Sequence, residues 1–347
     1  NGHFECGKWK CFAGSGTVAF GSASATEARP EWWGAVGDGA TDDAAAWASA
    51  IASGAKVVDA RGLASRIDTA LSMVSNQKWL MQGAALSFAS SSQTVISASA
   101  VNDWSIVGPF SITGDGTTVG TAKGIRVSDC SRWIVDAPTI SSIKGWGIYS
   151  EPGSSTTARG THGTIRDAVI HTCYYGYEDL PGTGAEYCTL TNPRIYSCTT
   201  HGLKTAAGNM LVHGGHIVDN TAKGVHLVNG SNHGHGIFVG CNINHNGTFG
   251  IHAEAVTEGF TFSECHIYEN DLWFDNSGGI QVRGGFLDAN LYNYSGGSSS
   301  YTWIDGCYCP GDYGVSRLIG SDDGHDQLIV TNCWGPGSYA AAGGKDT

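Results

Sequence analysis

Apolar and polar residues alternate in short runs along most of this chain, and from residue 160 onward the runs recur at a nearly fixed interval. The segments GTIRDAVIHTCYYGYED, TLTNPRIYSCTTHGLKT, LVHGGHIVDNTAKGVHLV, IFVGCNINHNGTFGIHAE, FTFSECHIYENDLWFDN and IQVRGGFLDANLYN align on Ile170, Ile195, Ile217, Ile243, Ile267 and Leu287, at steps of 25, 22, 26, 24 and 20 residues. Three residues beyond these aliphatics stand Cys173, Cys198, Asn220, Asn246, Asn270 and Asn290. Two residues before them stand Ala168, Pro193, Gly215, Cys241, Cys265 and Gly285, nearly all small. Gly176, Gly202, Gly224 and Gly250 each precede an apolar residue.

Alternation with a period of two marks half-buried strands, and no helical period lies between them. One such unit cannot bury its apolar face alone, so the units are expected to stack. Coils of this length, with asparagines in register at a turn, predict an all-β fold, the right-handed parallel β-helix. An Asn amide can bond both to turn backbone and to the Asn of the next coil. The Leu signature of leucine-rich repeats is absent, and a propeller blade needs about 40 residues or more.

One segment departs from this pattern. In PEWWGAVGDGATDDAAAWASAIASGAKVVDARG, Pro30 to Gly62, Thr41 is placed to cap a helix whose first turn holds Asp42 and Asp43, and Gly54 to end it. A solenoid end exposes apolar side chains and unpaired strand edges. The helix, at roughly 42–53, is therefore expected to lie across the open end. The organisation expected is a lead-in over 1–29, the β-helix over 30–340, and a frayed or truncated end over 341–347.

Composition narrows the partners. With 31 acidic and 19 basic residues the formal net charge is −12, which argues against a nucleic-acid backbone or an anionic membrane. No apolar run reaches the roughly 18 residues of a membrane span. The 51 Gly against 8 Pro fit turns and tight packing better than disorder. Among the 11 Cys, Cys173 and Cys198, and Cys241 and Cys265, recur near the repeat interval, which reads as small buried hydrophobes rather than a disulfide-stapled or zinc scaffold. The chain opens at Asn1 without Met, so a preceding region is expected.

The opening PEWWGAVGDGATDDAAAWASAI, followed by such coils, resembles the pectate-lyase-like β-helix superfamily and, within it, bacteriophage tailspike proteins. The resemblance implies a homotrimer in the virion tail, assembled in the bacterial cytoplasm and acting at the host surface. It implies binding, and usually cleavage, of a bacterial capsule, exopolysaccharide or O-antigen, and attachment to a tail or baseplate protein through the missing N-terminal region. The 11 Trp and 13 Tyr suit sugar rings packed on aromatic planes.

Glycoside hydrolysis needs two carboxyl groups about 5 to 9 Å apart. A solenoid supplies them from neighbouring coils, because outward positions stack at about 4.8 Å. The position two beyond each turn glycine gives Glu178, Lys204, His226 and His252, and then Asp275 if one residue is deleted in that coil. This ionisable stripe, in a chain only 14% charged, is the leading groove. Glu254 and Asp275 are the expected catalytic pair, with Glu178 as an alternative member. His226, His252, Lys204, Trp273 and Tyr177 are the expected substrate-binding groups, although the repeat points Tyr177 inward. A second outward column runs Arg194, His216, Asn242 and His266, and a third holds Arg166, His213 and Arg283.

A lyase acting on a uronate would use the histidine and lysine stripe instead, and a receptor-binding β-helix would use none of it catalytically. Gly234-His235-Gly236 resembles the Gly-His-Gly of polygalacturonases without that family's companion motifs, and alginate epimerases share the opening motif while their Asp-Pro-His-Glu is missing here. No cofactor is expected to be required and no metal site is assigned. The turn holding Asp322, Asp323 and Asp326 offers oxygen ligands for Ca²⁺ but reads better as a plain acidic turn.

Overall fold

In the computed structural model, residues 4, 6–14, 17–21, 26–151, 161–179, 186–229, 234–275, 277–294, 301–310, 318–319 and 327–335 are described. Their strands wind into three parallel sheets, each coil giving one strand to each sheet in turn. The first sheet has 13 strands, from Glu27–Ala28 to Gln327–Thr331. The second has 11, from Asp38–Asp42 to Phe286–Asp288, and the third has 11, from Leu71–Ser72 to Leu318–Ile319. This is the expected right-handed parallel β-helix. Among the described residues no helix is long and apolar enough to cross a membrane.

Register follows the aligned aliphatics. In the second sheet Ile140, Ile170, Ile195, Ile217, Ile243, Ile267 and Leu287 are successive Cα partners, all buried. A slip of one residue would turn this whole column outward, so burial of the column itself specifies the register.

The corner between the second and third sheets carries the Asn column. The residue before each column member adopts a left-handed conformation: Thr172, Ser197, Asp219, His245 and Glu269 have φ of 55°, 55°, 54°, 51° and 53°. Each costs about 1–2 kcal/mol for an L residue. The next side chain offsets that cost. Asn246 Oδ1 accepts from the backbone N–H of Asn220 at 3.1 Å and from Asn220 Nδ2 at 2.9 Å. Asn270 Oδ1 accepts in the same way from Asn246 N and Nδ2, both at 3.1 Å.

Glycine makes room for these amides. A Cβ on Gly202 would stand 2.6 Å from Asn220 Nδ2, one on Gly224 2.5 Å from Asn246 Nδ2, and one on Gly250 2.7 Å from Asn270 Cβ. The two columns seen in the sequence are thus two halves of one packing arrangement. Asn290 leaves the ladder and donates to Asp271 Oδ1 at 2.8 Å.

The helix α1 spans Ala44–Ala52, shorter at its start than expected. Thr41 is not its cap, because residues Asp38–Asp42 form a strand and the Thr41 hydroxyl donates to Asp38 at 2.9 Å. Asp42 instead accepts from the Ala44 N–H at 3.1 Å, and Asp43 ties Val36 N, Gly37 N and Ser65 Oγ. Gly54 follows α1 at φ 81°, as expected. α1 lies on the first coil: Trp47 is fully buried, its ring 5.7 Å from Trp79, and Gln77 Nε2 donates to the carbonyls of Ile51 and Ala55.

Cys6 and Cys11 form a disulfide, a pairing the sequence analysis leaves unassigned, while the other nine cysteines are free thiols and eight of them are buried. Residues 341–347 and the acidic turn at Asp322, Asp323 and Asp326 lie outside the described residues.

Replacing Asn246 with Ala strands the Asn220 and Asn270 amides in a buried corner, and should cost about 2–4 kcal/mol in urea unfolding. Asn290→Ala, off the ladder, should cost less than about 1 kcal/mol. Equal losses would contradict the ladder.

Candidate active site on the third sheet

From Ala122–Ser128 to Phe249–Glu254 each third-sheet strand runs outward residue, glycine, inward apolar residue, outward residue. The glycine drops out of the Cα pairing, so two outward columns flank one inward column. The inward column is Ile125, Ile148, Tyr177, Leu203, Val225, Ile251 and Leu272. One outward column is Arg126, Tyr149, Glu178, Lys204, His226, His252 and Trp273. The other is Lys123, Trp146, Tyr175, His201, Lys223 and Phe249. This second column was not among the expected site residues; its signal in the sequence is the residue immediately before each turn glycine.

At one end the face is aromatic and cationic. Trp146 packs on Tyr149 and Tyr175 with ring centroids 4.7 and 4.9 Å apart, and the Lys123 ammonium sits 4.9 Å over the Trp146 ring. Beneath them Glu178 is buried, 3% exposed, and accepts from Trp146 Nε1 and, at 2.9 Å, from Lys204 Nζ. His201 Nε2 stands 3.3 Å from the same carboxylate. Burial alone would raise the Glu178 pKa; its bonds to His201, Lys204 and Trp146 outweigh burial and hold it at about 2. His201 itself is pushed down by burial despite this partner. Lys204 therefore carries the charge that answers Glu178.

At the other end the expected pair meets. The strand Phe249–Glu254 lies beside Leu272–Asp275, with Glu254 and Asp275 direct Cα partners. Both are exposed and project from the same face. Glu254 Oε2 is 3.1 Å from His226 Nε2, whose other close contact is Lys223 Nζ at 3.3 Å. The His226 and His252 rings stack 4.9 Å apart with planes 1° from parallel. Phe249 packs on both His252 and Trp273, at 5.3 and 5.4 Å. Burial first, then the Lys223 charge, pushes His226 down to about 2 and His252 down to about 4. Both imidazoles are neutral bases near pH 7.

Three expectations are corrected. Asp275 is not on the stripe of Glu178, Lys204, His226 and His252: Trp273 takes that place, because the coil lacks the turn glycine from which the count starts. Tyr177 is fully buried in the inward column, its hydroxyl donating to Asp179 at 3.3 Å, so it cannot touch a substrate. Glu178 lies three strands from Glu254, about 14 Å along the sheet, and is covered and ion-paired, so it is no partner for either carboxylate.

The second outward column stacks as expected, Arg194, His216, Asn242 and His266 being successive partners in the second sheet. Arg166, His213 and Arg283 share one first-sheet column but are separated by Thr191, Val239 and Ser263. His235 of the Gly-His-Gly motif also lies in the first sheet, its Nδ1 3.0 Å from Glu258, away from this face. A 580 Å³ concavity with a carboxylate rim of Glu269, Asp271 and Asp288 opens at the Asn corner. It holds none of the aromatic or lysine groups above.

Residues 123–295 match the family described as "Right handed beta helix region". No curated protein matches the sequence. Among solved structures the chain is similar to the Azotobacter vinelandii mannuronan C-5 epimerase AlgE6 A-module, with TM-score 0.55 and 16% identity, covering 91% of this chain and 98% of that one. It is similar to tailspike protein 2 of Escherichia coli O157:H7 bacteriophage CAB120, with TM-score 0.65 and 14% identity, covering 89% of this chain and 46% of that one. It is also similar to the gp42 tailspike of Acinetobacter phage vb_AbaP_AS12, with TM-score 0.59 and 12% identity, covering 92% and 63%. The chain spans less than two thirds of either tailspike. Winding and family match together define its class: it is a right-handed parallel β-helix protein.

The neutral histidines give a signed pH prediction. With an ordinary value of 6.5, His252 is protonated in the unfolded chain between pH 6.5 and about 4 but not in the folded one, so stability must fall as pH drops through that window. His226 adds to the same fall down to about 2. Buried Asp179, raised by burial from 3.8 to about 6, acts oppositely and weakens the fold as pH rises through that range. His252→Gln should therefore lose less stability between pH 7 and 4.5 than the wild type in urea unfolding; equal losses would contradict the assignment.

Proposed function

We propose that this chain is the polysaccharide-cleaving β-helix of a bacteriophage tailspike, with the outer face of the third sheet as its glycan groove. The observation that carries the reading is the pairing of Glu254 with Asp275. Their strand spacing of about 4.8 Å suits two carboxyl groups acting on one glycosidic bond. One protonates the leaving oxygen while the other attacks or steadies the positive charge growing on the sugar ring. Trp273 and Phe249 offer planes for sugar C–H faces, and His226, which touches Glu254, orients it. Lys123 and Lys223 line the same face, which favours an acidic glycan there despite the net charge of −12.

The virion setting is supported by the fold likeness to two tailspikes and by the tailspike-like opening at Pro30. A trimer is supported by the first sheet. From Ser105 onward one of its outward columns, Ser105, Ile134, Thr164, Thr189, Leu211, Ile237, Thr261, Gln281, Trp303 and Ile329, holds no charge, and Leu211 and Ile237 are 37% and 45% exposed. Three such faces packed about an axis would cover these side chains.

One observation favours a second reading. His252 is a neutral base whose buried Nδ1 lacks a hydrogen-bond partner, beside the Lys223 cation. A base flanked by a cation is what a uronate lyase uses to take an acidic proton and neutralise the carboxylate.

Incubation with capsule and lipopolysaccharide from a panel of strains separates the readings. Hydrolysis predicts new reducing ends without the ultraviolet absorbance of an unsaturated uronate. Glu254→Gln and Asp275→Asn should each slow release by about 10²–10⁴-fold while glycan binding persists. Absorbing products would establish the lyase, and binding without product would leave a receptor-binding β-helix. Ile237→Lys should convert the trimer to monomers in light-scattering chromatography, and an unchanged trimer would place the subunit contact elsewhere.

A further inference from the structure

We propose that His226, His252 and Glu254 form a binding site for a divalent transition-metal ion of the Zn²⁺ type. One ring nitrogen of each histidine and one Glu254 carboxylate oxygen lie within 4.8 Å of one another, the one His, Cys, Asp and Glu grouping of this kind among the described residues. Register produces it. His226 is the Cα partner of His252, and Val228 that of Glu254, so one strand lends an imidazole and the next lends an imidazole and a carboxylate two positions on.

The donor set selects the ion. Two imidazole nitrogens and one carboxylate oxygen suit Zn²⁺, Co²⁺, Ni²⁺ or Cu²⁺, whereas Ca²⁺ and Mg²⁺ take oxygen ligands. A tetrahedral Zn²⁺ holds its donors about 3.3 Å apart, so the three groups must close by a small side-chain rotation. The half-exposed Glu254, 53% accessible, can make that movement toward the stacked imidazoles. Three protein ligands leave a fourth position for water or a glycan oxygen, as in open rather than structural zinc sites.

One group opposes the ion. Lys223 Nζ, 3.3 Å from His226 Nε2, competes for the same lone pair and repels a dication. Its flexible stem must swing aside on binding, which makes Lys223 a built-in test. The inference stands apart from the glycan reading. A bound ion claims Glu254, takes it from the carboxylate pair, and inhibits hydrolysis.

The test is calorimetric titration of Zn²⁺ into the whole chain near neutral pH with no glycan present, so the outcome is independent of turnover. One ion per chain is expected, with His252→Gln and Glu254→Gln each weakening it by about tenfold or more. Lys223→Met should tighten binding by about tenfold. A gain of affinity cannot come from misfolding. No saturable binding, or one affinity shared by the wild type, His252→Gln and Lys223→Met, would overturn the site.

Discussion

The seating of an asparagine amide where a glycine lacks its Cβ is the contact on which the third sheet depends. At the corner before that sheet, Asn220, Asn246 and Asn270 are linked amide to amide through the same coils whose glycines leave space for them. The chain must turn left-handed just before each amide, and the amide then bonds to the neighbouring coil. Polar groups paired in a dry corner tolerate no slip, because a shift of one residue would leave several of them unsatisfied at once. Earlier coils carry Cys173 and Cys198 at this place, whose thiols bond only weakly to carbonyls. The ladder is therefore strongest beside the coils that hold His226, His252 and the Glu254–Asp275 pair.

With register held, the face divides into two electrostatic regimes. Around Glu178 a buried carboxylate is held ionised by Lys204 and capped by Trp146, a closed arrangement that shapes the surface without meeting a ligand. Around Glu254 the carboxylates are exposed, and burial falls on the imidazoles, which it keeps neutral. Neutral histidines beside an open carboxylate can accept protons, orient an acid or hold a metal. The closed end can do none of these. The difference lies in where the aromatics fall: Trp146, Tyr149 and Tyr175 gather over Glu178, whereas Phe249 packs on His252 and Trp273 and leaves Glu254 exposed.

Much of this was legible from repeats. The aliphatic column, the asparagines and the corner glycines appear in sequence because each coil meets the same inward geometry. Asp275 was nevertheless put on the wrong column, since its coil has no turn glycine from which to count. The Lys123, Trp146, Tyr175, His201, Lys223 and Phe249 column went unseen because the glycine bulge places outward residues on both sides of itself. Burial of Glu178 could not be read locally: its cover comes from a Trp one coil earlier. The helix's N-cap position fell on Asp43 rather than Thr41 because pairing of Asp38–Asp42 with Ala64–Arg66 is a long-range contact that overrides local cap preference.

The central claim is that Glu254 and Asp275, one strand apart, act together on a glycosidic bond. Carboxyl groups held near the strand spacing of about 4.8 Å leave no room for an attacking water between them, so one must bond to the sugar first. Proton NMR of the first product released from a surface glycan that the chain cleaves reads the anomeric configuration directly. Retention is the result predicted; inversion would contradict the pairing.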